Sequence, residues 1–244
     1  MEATLPPSFV LIGSPVLSVC ALEPLAEALR EASLGACIID LAEVVPSADG
    51  WHAAHVEAAV HAIDARKGAD GPLVLVGYSG AGPLLPLIAM ALAQRPAACV
   101  FLDAGIPRDG FSRLELMAEE VSTAFAESLR SSLHAGKRQP RWTDVQLAPL
   151  VPDTLIRGSL LAGLRPRPLS YFAEPIPVPV GWPHVPCGYL QLSAGYDVPA
   201  HRASALGWPV IRVERTHFSA MTEPRCVADE LRALWRHLAP DVSD

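Results

Sequence analysis

Lysine is nearly absent from this chain: Lys67 and Lys137 are the only two, and arginine supplies the other basic residues. The formal net charge is −7, and no basic stripe interrupts it, which argues against a nucleic-acid partner. Charged residues make up only 18% of the chain and hydrophobic ones 50%. Even so, no uninterrupted apolar run approaches the length of a membrane span, so no membrane partner is expected. The apolar stretch 9–22 lacks cationic residues before it and is broken by Gly13, Ser14 and Pro15, so it reads as a strand and its loop rather than an export signal. The five cysteines (Cys20, Cys37, Cys99, Cys187, Cys226) are odd in number and show no CxxC spacing. They are expected to be buried free thiols in a reducing cytoplasm. At 244 residues the chain is long enough for one α/β domain with a full core.

What is present is concentrated at one turn. The apolar run Leu73-Val74-Leu75-Val76 leads directly into Gly77-Tyr78-Ser79-Gly80-Ala81-Gly82, and an Ala/Leu-rich segment follows. Strand, sharp turn and helix place a serine in a strained backbone with its hydroxyl held clear of the sheet. Small residues two before and two after it, Gly77 and Ala81, let strand and helix approach closely. The Gly80 amide then faces the space where an oxyanion forms. No Lys-Ser/Thr follows for a P-loop, and the glycines fall in the wrong order for a dinucleotide fingerprint, so no cofactor is implied.

Strands are expected at 8–12, 36–40, 73–76 and 99–102, and helices at 21–32, 51–67 and 80–94. Pro83 fits the first turn of that third helix, and Pro86 is expected to bend it. This alternation predicts an α/β fold, a mostly parallel sheet with helices on both faces. The pattern then changes. A long amphipathic helix is expected over 111–133, followed by a segment of little periodicity with ten prolines from Pro140 to Pro186. Its aromatic and aliphatic content is too high for disorder, so an inserted lid is expected at 108–186. The core would comprise 1–107 and 187–244, with strands resuming at 189–192 and 209–213 and a closing helix at 227–238.

Ligands of open α/β sheets bind at the carboxyl ends of the strands, where Ser79, Asp103, Asp197 and His217 all fall. A serine hydroxyl needs a base, and the base needs a carboxylate on its far ring nitrogen. His217, between the last strand and last helix, is the favoured base. His52, His55 and His61 share an early helix and are expected at the surface or half-buried. Asp197 is the favoured acid and Asp103 the alternative.

The turn at Ser79, the stretch Val100-Phe101-Leu102-Asp103-Ala104-Gly105-Ile106-Pro107 and the terminal His217-Phe218-Ser219-Ala220-Met221-Thr222-Glu223-Pro224 resemble the α/β-hydrolase superfamily. The resemblance is to the branch of small carboxylesterases, methyl esterases and hydroxynitrile lyases, and it runs over nearly the whole chain. It implies a nucleophile elbow at Ser79 and supports Asp197 as the acid. Three positions depart from the family: Gly13-Ser14-Pro15-Val16 stands where His-Gly is usual, Tyr78 replaces a histidine, and Thr216 replaces a glycine. Pro15 has no amide hydrogen, so the second oxyanion donor must be the Val16 amide, the Ser14 amide or the Ser14 hydroxyl. Gly80 and Val16 are the expected pair, and Ser14, Tyr78 and Trp142 the expected substrate contacts. The expected activity is hydrolysis of an ester, lactone or thioester of a small apolar acyl compound, without metal. Acid–base chemistry such as a lyase or cyclase reaction, or an idle binding protein on the same scaffold, are the alternatives.

Overall fold

The computed structural model describes residues 5–66 and 71–239. The first half alternates strand and helix: β1 (Ser8–Ile12), α1 (Glu23–Glu31), β2 (Gly35–Ile39), α2 (Trp51–Asp64), β3 (Leu73–Tyr78), α3 (Leu85–Ala91) and β4 (Ala98–Leu102). The expected end of the second helix, Lys67, lies outside the described residues. An insertion follows, with β5 (Phe111–Ser112), α4 (Arg113–Glu120), α5 (Thr123–His134), α6 (Asp144–Leu147), α7 (Thr154–Ala162), α8 (Leu169–Ala173) and β6 (Pro175–Ile176). The chain closes with β7 (Cys187–Gln191), α9 (Asp197–Ala205), β8 (Val210–Arg212), α10 (Ser219–Thr222) and α11 (Pro224–Leu238).

Six strands form one parallel sheet in the order β2-β1-β3-β4-β7-β8. Every residue of β1, β3 and β4 is buried, because helices cover both faces, and this is why these strands read as continuous apolar runs. Alternate side chains feed two cores. Phe9, Leu11, Val74 and Val76 meet Leu25 of α1 and Leu231 of α11, while Val10, Ile12, Leu75 and Phe101 meet Ala59, Ile88 and Ala200 on the other face. Among the described residues no helix is long and apolar enough to cross a membrane.

The third expected helix opens as a 3-10 turn over Ser79–Leu84 and becomes α-helical only from Leu85. Pro83 and Pro86 account for this, since neither has an N–H to give; Pro86 falls in the first turn of α3, where none is needed. The single helix expected over 111–133 is two. Ser112 opens α4 with a reciprocal capping box to Glu115, and Ser122 opens α5 by accepting the Phe125 N–H. The proline-rich stretch, expected to be aperiodic, holds the short helices α6, α7 and α8, each ended by a proline or glycine nearby. Antiparallel pairing of Phe111 with Ile176 and of Ser112 with Pro175 ties the two ends of the insertion together.

Candidate active site

Ser79 follows β3 with φ at +56°, a left-handed conformation that costs a non-glycine residue energy and holds the side chain out of the sheet. Close packing around the turn explains its small residues. A Cβ on Gly77 would lie 2.8 Å from Leu85 Cγ, and one on Gly82 would lie 2.5 Å from the Gly105 carbonyl oxygen.

His217 Nε2 stands 3.1 Å from Ser79 Oγ, and its Nδ1 stands 2.8 Å from Asp103 Oδ2. Asp103 is fully buried with φ at +42°. Its Oδ1 accepts the Leu192 and Ser193 N–H groups, and its Oδ2 also accepts the Ser193 hydroxyl at 2.7 Å. The carboxylate is therefore locked in orientation, with hydrogen bonds to both oxygens. His217 is sandwiched between two rings: Tyr78 at 4.9 Å and Tyr196 at 5.1 Å, within 17° and 13° of parallel. The Tyr78 hydroxyl donates to the His217 carbonyl at 2.7 Å, and the Tyr196 hydroxyl faces Ser79. Burial, reinforced by the Asp103 charge, raises both phenols, so they remain donors.

The acid expected at Asp197 is not at His217. Asp197 is an exposed residue opening α9, and its carboxylate accepts from Gln191 Nε2. Asp103 takes the place because β4 lies directly beside β3, with β7 one strand further out, and its left-handed backbone turns the carboxylate toward the β7 end. Tyr78, expected to contact substrate, is 1% exposed and supports His217 instead. His55, expected at the surface or half-buried, is completely buried. Trp142 packs edge-on against Phe218 at 5.5 Å and lines a cleft of about 910 Å³ in the insertion. Neither Ser79 nor His217 borders that cleft.

The 14–16 loop does reach the turn. A Cβ on Gly80 would lie 3.0 Å from Ser14 Oγ and 3.6 Å from Pro15 Cδ. The Pro15 carbonyl accepts from Arg167 Nε at 2.9 Å, and the Val16 carbonyl accepts the Arg165 N–H at 2.8 Å. In a trans peptide the Val16 N–H points opposite the Pro15 carbonyl, so Arg167 fixes that amide's direction. Among the described residues the Val16 N–H meets no acceptor. The sequence alone gives neither Arg167 nor Tyr196 a role; Tyr196 is marked by its adjacency to Asp197, and Arg167 only as part of the stretch Leu164-Arg165-Pro166-Arg167-Pro168-Leu169, which resembles lid segments of the family. Among the described residues no group of three or more His, Cys, Asp or Glu side chains is placed to hold a metal ion.

No protein-family model matches the sequence, and no curated protein matches it significantly. Solved structures do. An extracellular α/β-hydrolase from a Paenibacillus species, described as sharing structural and functional homology with tobacco salicylic acid binding protein 2, aligns over 97% of this chain and all of its own. The TM-score is 0.73 and the identity 19%. Tomato methylketone synthase I aligns over 96% of this chain and 99% of its own, with a TM-score of 0.70 at 13% identity. Polyneuridine aldehyde esterase covers 95% of this chain and is itself covered completely, with a TM-score of 0.68 at 15% identity. The chain has the α/β-hydrolase fold.

Proposed function

We propose that this chain is a serine hydrolase cleaving a carboxylic ester, lactone or thioester, with Ser79 as nucleophile, His217 as base and Asp103 as the acid that orients it. The observation that carries this reading is the unbroken relay from Ser79 Oγ through His217 to Asp103, at 3.1 and 2.8 Å. Asp103 at Nδ1 sets the tautomer that leaves Nε2 free to accept the serine proton and stabilises the imidazolium that results. Ser79 Oγ attacks the acyl carbon; the oxyanion is held by the Gly80 and Val16 amides. His217 then gives its proton to the leaving oxygen or sulfur. The same base activates water to release the acid and restore Ser79. Residues 108–186 serve as the lid over this chemistry, since strip 163–167 pairs with the 15–18 loop and Tyr171 approaches Gly80. All five cysteines are free, though only Cys99 and Cys187 are buried as expected and Cys20, Cys37 and Cys226 are partly exposed; free thiols fit a reducing cytoplasm, which is the location we propose.

A fluorophosphonate probe followed by peptide mass mapping tests the assignment. Covalent label on Ser79, absent from folded Ser79→Ala, is the expected result. A folded wild-type chain that resists the probe, or carries the label elsewhere, overturns it.

A further inference from the structure

Behind the turn, between α2 and helices α4 and α8 of the insertion, lies an enclosed polar cluster that the proposed chemistry does not use. Arg113, the first residue of α4, is 4% exposed, and none of its three guanidinium nitrogens makes a hydrogen bond of ordinary geometry among the described residues, although the Tyr171 hydroxyl approaches them. Its Cζ stands 4.1 Å over the Tyr171 ring. His55 meets the edge of Tyr171 at 6.0 Å and stacks on Trp51 at 5.8 Å, and neither of its ring nitrogens makes a hydrogen bond of ordinary geometry. The cluster reaches the elbow. The Tyr171 hydroxyl lies 3.6 Å, and the buried and unpartnered Ser14 hydroxyl 3.0 Å, from the point a Cβ on Gly80 would occupy.

The neighbouring charges are already engaged. Glu174 accepts the Trp51 and His52 amides, each at 2.8 Å, and pairs with His52. Arg167 gives its donors to the carbonyls of Pro15, Leu41 and Ala42. Burial, with the Arg113 charge behind it, holds His55 down at about 3, so it adds no positive charge near neutral pH. Arg113 is thus one buried cation without a counter-ion, an arrangement that is costly unless an anion joins it. A guanidinium fork matches a carboxylate with two parallel hydrogen bonds, and a single uncompensated charge suits a monoanion better than a phosphate dianion.

We infer that Arg113, with the Tyr171 and Ser14 hydroxyls, forms a subsite for a carboxylate at the far end of the substrate's acyl chain. The preferred substrates are then half-esters of dicarboxylic acids, a departure from the wholly apolar acyl group that the insertion's composition suggests. The inference rests on Ser79 as the acylated residue. A leaving group must face His217, which protonates it; a group reaching past Gly80 toward Arg113 therefore belongs to the acyl part.

The test pairs the monomethyl esters of succinate, glutarate and adipate with neutral methyl esters of matched length. For wild type, kcat/KM is expected to favour at least one half-ester over its neutral partner by tenfold or more, and Arg113→Met to bring that ratio to one or below. Calorimetry on Ser79→Ala, which needs no turnover, is expected to show the same half-ester binding at least tenfold tighter than its partner, with the difference lost in the double variant. Equal loss on both esters in Arg113→Met, or a wild type that prefers neutral esters throughout, overturns the subsite and leaves the hydrolase reading standing. Selective binding to Ser79→Ala without turnover by wild type does the reverse. If Arg113→Met fails to fold, Arg113→Lys, which keeps the charge but loses the fork, is expected to lower the ratio; an unchanged ratio overturns the inference.

Discussion

The two flanks of Ser79 are built on opposite rules. Toward His217, the groups around the imidazole are satisfied: Asp103 accepts four hydrogen bonds, and Tyr78 and Tyr196 clamp the ring. Toward Gly80 and the insertion, Ser14 and Arg113 are as deeply buried, yet neither the Ser14 hydroxyl nor the Arg113 guanidinium makes a hydrogen bond of ordinary geometry among the described residues. Buried polar groups are normally satisfied, so the contrast separates two tasks. A base must be pre-aligned before substrate arrives, and hydrogen bonds within the fold do that. A recognition group must keep its hydrogen bonds in reserve for something the fold does not contain.

The strongest way to break this comparison is to cut the satisfied flank. Asp103→Asn should lower kcat by about 10⁴, because the imidazole is then held in the wrong tautomer. Asp197→Asn should stay within about threefold, since that carboxylate is exposed and touches Gln191 rather than His217. Steady-state kinetics on one ester decides between them, and a reversed ranking removes Asp103 from the relay. A smaller loss, about 10²-fold in kcat, is expected for Val16→Pro, which deletes one oxyanion donor. A retained thermal midpoint with kcat unchanged would show that the second donor is not the Val16 amide.

The smallest effect sharpens the comparison from the opposite direction, for the satisfied flank contains a misfit of its own. Glu120 accepts the Ile106 N–H at 3.3 Å, but burial outweighs Arg202 at 3.9 Å and pushes its carboxyl up to about 7. The native state therefore holds a proton that the unfolded chain releases near its ordinary carboxyl value. Stability from this residue is complete below about pH 4.5 and falls as pH rises toward and through 7. Glu120→Gln should consequently lie close to wild type at pH 4.5 and exceed it by about 3 kcal/mol at pH 8. Thermal melts across that range check it, and a difference that does not vary with pH counts against a buried, proton-holding Glu120.

The parts of this molecule legible in the sequence are those fixed by neighbours along the chain. The run from Leu73 to Ala81 specified strand, turn and a serine held out of the sheet, because all three depend on local residue size and backbone strain. The position of His217 after the last strand was legible for the same reason. The acid was not. Asp103 and Asp197 both follow apolar strands, and the choice depends on which strand lies beside β3 and on the left-handed backbone at Asp103. The break between α4 and α5 was written in Ser122, a cap inside an otherwise continuous amphipathic pattern. Arg113 and His55 carry no local mark at all. An arginine opening a helix ordinarily faces water, and only the folding of the insertion over α2 encloses it.

Two side chains of the insertion also anchor one of its edges to the core. Arg167 grips the carbonyls of Pro15, Leu41 and Ala42, and Glu174 grips the first two amides of α2. With Arg165 and Gly163 bonded to the same loop, this edge is riveted to the framework on both sides of α8. It is bonded to the peptide that carries the Val16 amide, so peeling it away would also displace the proposed oxyanion donor. These bonds make this edge a fixed jamb beside the turn at Ser79, where Tyr171 of α8 approaches Gly80.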